Sequence, residues 1–134
     1  MKCVVANAFS INMLARQALA LQFLPVTVTI AGGGSGFFLD TAEGERIGVK
    51  REDVDSAVGH ADTAAVFSRI LGIEIPMNRQ TFQGLFMDLV CDEVLLVGQY
   101  RGPRLAEGAK ELPAGATIEW WLIRRAEDSE ESLA

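Results

Sequence analysis

The sequence predicts an α/β fold, one domain with a central mixed β-sheet flanked by helices. Three observations lead there. Strand-like and helix-like stretches interleave along 134 residues, about the modal length of a single domain. Apolar residues make up 49% and charged residues 22%, a globular balance and not a disordered one. A chain of this length buries roughly two-thirds of its unfolded surface, so it needs no metal or disulfide to fold.

The elements follow in order. Lys2–Ala6 reads as a short buried strand. Ser10 is placed as the N-cap of a helix over Ile11–Leu21, rich in Ala, Leu, Met and Gln, with Pro25 closing off any continuation. Val26–Ile30 alternates valine and threonine as a strand does, Ala31–Gly36 is a flexible turn, and Phe37–Leu39 is a brief return strand. Lys50–Val58 carries acids just after its start and reads as one or two helical turns. After Gly59-His60, Asp62 or Thr63 caps a longer helix whose Ala64, Phe67, Ile70 and Leu71 share a face, and Gly72 is placed to end it. Arg79–Phe86, Glu93–Tyr100 and Thr117–Arg124 are strand candidates, and Arg101–Gly115 is a loop dense in glycine and proline. Residues 1–125 form the domain, and 126–134 read as a solvated, disordered acidic tail.

Charge and cysteine usage exclude several classes. The net charge of −6 argues against general affinity for long nucleic acid, which rests on phosphate neutralisation. Four of the 18 acids lie in the tail, so the body has 14 against 12 bases and is close to neutral. A local anion site is compatible with that body. Cys3 and Cys91 are too few for a disulfide scaffold and too far apart for a metal knuckle, so no metal or other cofactor is expected. No apolar run approaches the ~18 residues of a membrane span, and Met1-Lys2 leads into a strand and not a signal peptide. A cytoplasmic protein without membrane contact is expected.

Three segments carry candidate chemistry. Asn7, Ser10 and Asn12 place small polar side chains at a strand-to-helix junction, where α/β sheets bind ligands, although composition alone favours Ser10 as a cap and Asn7 as a turn residue. His60 is the one histidine; it follows Gly59, which permits close backbone approach, and precedes a helix start whose N–H groups suit an anion. Gln99–Gly108 sets Arg101 and Arg104 on a Gly-Pro loop, where a guanidinium can fork onto phosphate oxygens or merely answer an acidic surface. The Gly32–Gly36 cluster lacks the spacing of either phosphate-binding glycine motif and reads as a hairpin loop.

Together, ANAFSINML at Ala6–Leu14, VGHADTA at Val58–Ala64 and GPRLAEG at Gly102–Gly108 resemble the viral type III anti-CRISPR ring nucleases and their cellular relatives. The resemblance runs from Lys2 to about Ile123, loosely over Gly32–Arg46 and Ile75–Asp92. It implies a small α/β protein that forms a twofold homodimer and degrades cyclic tetra-adenylate, the second messenger of type III CRISPR defence, without a metal. It also implies a cytoplasmic location, in the host if the source is viral. Residue by residue, it makes His60 catalytic and Ser10 a ligand contact beside Asn7, Gly59 and Asn12. Arg104 and Glu107 match the family's Arg-Leu-x-Glu-Gly, with Glu107 a candidate for activating the nucleophile. The family glutamine falls on Gln99, five residues before Arg104 where relatives show four, and Ala57 stands where relatives often have serine. A non-catalytic receptor or sponge for the same ring, and an interaction protein sharing only the architecture, are the alternatives.

Overall fold

Cys3, Val4, Val5 and Ala6 of Lys2–Asn7 (β1) are all buried, on both faces of the strand, as a central strand of a parallel region requires. The computed structural model describes residues 2–7, 21–78, 93–105, 107–108 and 111–125. Six further strands join β1: Leu21–Ile30 (β2), Gly36–Thr41 (β3), Arg46–Lys50 (β4), Val54–Ala57 (β5), Glu93–Arg101 (β6) and Thr117–Arg125 (β7). They form one seven-stranded sheet in the order β4-β3-β2-β7-β6-β1-β5. β1 runs parallel to β5 and β6, and every other pairing is antiparallel, so the sheet is mixed as expected. Among the described residues the helical layer is one α-helix, Ala61–Leu71 (α1), and the fold is mostly sheet.

Several expectations are corrected. β2 begins at Leu21 and runs through Pro25, which pairs with Trp121. Pairing with β3 starts only at Val26, so a residue without an N–H leaves no gap in that ladder. Lys50–Val58 is not helical beyond a single 3-10 turn at Arg51–Asp53; Val54–Ala57 is a strand laid beside Cys3–Ala6. The acids of this stretch imitate a helix start, and the apolar strand beside it decides the outcome. The sequence does not predict β4, because Arg46–Lys50 has weak alternation and gains its order from β3. Of the helix expected over Ile11–Leu21, Leu21 instead opens β2 and residues 11–20 lie outside the described residues, as do the strand expected over 79–86 and the tail 126–134.

α1 packs Ala64, Phe67 and Leu71 against Val5, Leu96, Trp120 and Leu122, with Ile70 at the margin, as its periodicity predicts. Gly72 ends it in the left-handed conformation (φ 76°), where a Cβ would be strained. The helix side chain Phe67 meets the sheet tightly at Gly98 of β6. A Cβ there would lie 2.6 Å from Phe67 Cζ and 2.8 Å from Trp120 Cζ3. The two rings stack tilted with centroids 4.8 Å apart, so glycine at 98 sets how near α1 sits. The opposite face of the sheet carries a second cluster of Val4, Ala6, Ala57, Leu95, Val97 and Ile123. Cys3 is fully buried, and desolvation, aided by the nearby Asp55 carboxylate, pushes its thiol up to about 12. It is a neutral packing group.

Candidate functional site

The carboxyl ends of β1, β5 and β6 meet at one edge of the sheet, where parallel strands present ligand sites. Ala6 lies beside Ala57, and Asn7 beside Gly98. Asn7 follows Cys3 and Val5 on the α1 face, since alternate residues of a strand share a side. Its side-chain Oδ1 accepts the N–H of Gly59 at 3.2 Å. One residue beyond, His60 is extended (φ −132°, ψ 134°) and occupies the N-cap position of α1. This corrects the expected cap at Asp62 or Thr63. The His60 carbonyl accepts the Ala64 N–H at 2.9 Å, while its imidazole makes no capping bond and is exposed. The first-turn N–H groups of α1 and the helix dipole favour an anion here, and the Asp62 carboxylate of the same turn opposes it.

Three contacts hold the Arg101–Gly115 loop, and one of them fastens it to the first turn of α1. The Tyr100 hydroxyl donates to the Pro103 carbonyl. The Gly108 N–H donates to Asp62 Oδ1 at 3.0 Å, and Arg69 pairs with Glu111 at 3.1 Å further along α1. The turn out of β6 needs Gly102 (φ 155°), because a Cβ there would come within 2.6 Å of Ala116 Cβ. The loop therefore lies along α1 from its first turn and carries Arg104 and Glu107, both exposed. No ion pair found among the described residues involves either of them. The helix turn that follows the His60 imidazole is thus the one to which the segment carrying Arg104 and Glu107 is fastened through Gly108. Groups of these kinds can hold a phosphodiester and move protons to and from it.

The sequence-named residues divide accordingly. Asn7, Gly59 and His60 are joined directly, and Arg104 and Glu107 arrive on the loop docked by Asp62. Gln99 is elsewhere. Leu95 and Val97 point to the face away from α1, and Gln99, in the same alternation, lines a groove of about 420 Å³ there with Trp121 and Phe23. Within one chain it does not join His60. Ser10 and Asn12 lie outside the described residues. Two residues that hold the loop carry no signal of that role in the sequence: Tyr100, which fixes its departure from β6, and Asp62, which reads only as a helix cap and fastens it to α1. An acid in a first helical turn is visible in sequence, but its partner 46 residues away is not.

Among the described residues no three or more His, Cys, Asp or Glu side chains cluster as a metal site would. No helix among them is long and apolar enough to cross a membrane. No curated protein and no solved structure matches the chain. The STIV B116-like family model matches residues 39–112, more than half of the chain and inclusive of Gly59-His60 and the Arg104–Gly108 segment, so the chain belongs to the STIV B116-like family.

Proposed function

We propose that this protein is a metal-independent ring nuclease that opens cyclic tetra-adenylate, the reading the three sequence segments imply. The observation that supports it best is the exposed, uncapping imidazole of His60 at the start of α1, with the Arg104–Gly108 segment fastened to the same helical turn. Membership of a viral family is in keeping with an agent that disables a host second messenger.

The chemistry follows from the groups. In RNA the ribose 2′-oxygen attacks the adjacent phosphorus, the bond from phosphorus to the 5′-oxygen breaks, and a 2′,3′-cyclic phosphate remains. His60 donates the proton that the departing 5′-oxygen takes up, a role suited to an imidazole near neutral pH. Arg104 and the α1 N–H groups offset the charge that builds on the phosphorane oxygens. Glu107, a group of the partner subunit or solvent water accepts the 2′-proton, and in-line alignment of the 2′-oxygen lowers the barrier. With a single histidine per chain, a two-histidine acid–base pair requires a second subunit. A ring of four identical nucleotides has twofold symmetry, so a C2 dimer would present His60 to two opposite phosphodiesters. Two cuts then release linear di-adenylate.

The test is incubation with cyclic tetra-adenylate in excess EDTA, followed by chromatographic separation and mass analysis. Linear di-adenylate ending in a cyclic phosphate is the expected product. An intact ring would refute the nuclease, and tight binding of that intact ring would install the receptor in its place. Sizing by light scattering checks the dimer, and a monomer that cleaves at full rate would remove the shared-site part.

A further inference from the structure

We propose that Asp62 is a positioning residue that fixes the Arg104–Glu107 segment against the helix turn bearing His60. Deepening the ring-nuclease reading, the functional half of this inference rests on it; the contact itself does not. The geometry is a bracket. Arg104 and Glu107 sit between two pins, the Tyr100 hydroxyl on the Pro103 carbonyl and the Asp62 carboxylate on the Gly108 N–H. The first pin is local to the end of β6, spanning three residues, and fixes only where the loop departs. The second spans 46 residues and fastens the loop to another element. Asp62 is two residues after His60, in the first turn of α1. Arg69–Glu111 reinforces the docking further along the helix, but it is an exposed pair and contributes little by itself.

A carboxylate accepting a backbone N–H is a charge-assisted bond, about twice as strong as a neutral one. A helix-first-turn acid needs only its charge, whereas a loop pin needs an acceptor oxygen at Oδ1. That difference separates the two roles. Asp62→Asn keeps the acceptor and loses the charge, while Asp62→Ala loses both.

The experiment measures amide hydrogen exchange at Gly108 by NMR, alongside ring cleavage, in the wild type and both variants, with melting followed by circular dichroism. In the wild type the Gly108 N–H should be protected from exchange. In Asp62→Ala its exchange should accelerate at least about tenfold and kcat/KM should fall by about tenfold or more, with the melting transition retained. Asp62→Asn should recover most of both. An unprotected Gly108 N–H in the wild type overturns the pin without any variant, which keeps the idea testable if Asp62→Ala does not fold. Equal impairment of the two variants makes Asp62 a helix-charge residue and overturns the proposal. Accelerated exchange with unchanged cleavage overturns the positioning role. A wild type that is protected at Gly108 yet leaves the ring intact refutes the nuclease reading, and the positioning role with it, while the contact stands.

Discussion

Gly98→Ala tests how the sheet sets the position of the site. The added Cβ would meet Phe67 Cζ at 2.6 Å, Trp120 Cζ3 at 2.8 Å and Trp120 Cη2 at 3.0 Å. Carbon atoms pack at about 3.5–4.0 Å, so either ring must retreat by close to an ångström. Neither has room, since Phe67 is 0% and Trp120 8% exposed. Overpacking of this kind costs about 1–3 kcal/mol, offset by about 0.5–1 kcal/mol for replacing glycine inside a strand. The net loss should be about 1–2 kcal/mol, measured as a lower urea midpoint with unchanged slope. Phe67 belongs to α1, so the strain is relieved by lifting the helix whose first turn carries His60. Cleavage should fall more than stability alone explains at temperatures where the variant is fully folded. Phe67→Leu on the Gly98→Ala background should recover part of the loss, giving a coupling of about 0.5–3 kcal/mol. A Gly98→Ala protein as stable as the wild type, with no coupling to position 67, would refute the argument that this glycine sets the height of α1.

Other perturbations separate binding from chemistry and folding. His60→Ala should slow ring cleavage by about 10²–10⁴-fold and leave ring binding by calorimetry nearly unchanged; cleavage at the wild-type rate would remove His60 from the mechanism. Arg104→Ala should weaken binding itself by about 1.5–3 kcal/mol, the worth of a charge-assisted phosphate contact, and an unchanged dissociation constant would count against that contact. Acid should weaken the fold through two surface carboxylates. Hydrogen bonds from Arg46 hold Asp40 below its ordinary 3.8, and hydrogen bonds from Arg124 hold Glu45 below its ordinary 4.5. A lowered folded-state value means that the stabilisation is complete above the ordinary value and is lost as the pH falls through the lowered one. In denaturant titrations, the difference between wild type and Arg124→Ala should therefore narrow as the pH drops below about 4.5; a constant difference would show that Glu45 is not the partner that matters.

Part of this protein is legible in its sequence because the signals are local. The alternation of Val26–Ile30, the buried run Cys3–Ala6, the α1 stripe of Ala64, Phe67 and Leu71, and the Gly72 terminator each act within a few residues. The three candidate segments are legible only as a resemblance, since their residue types taken singly fit a cap, a turn or a solvated loop as readily. What tertiary structure decided is everything that depends on a distant partner. Val54–Ala57 became a strand because β1 lies beside it, and Leu21–Pro25 because β7 does. Gln99 was separated from His60 by the pleat, since its side of the strand follows from which face α1 covers. Asn7 holding Gly59, and Asp62 holding Gly108, join segments 52 and 46 residues apart. Hydrogen-bond partners at such separations leave no pattern along the chain: composition and periodicity report a residue's own preferences, while the folded sheet determines what stands next to it.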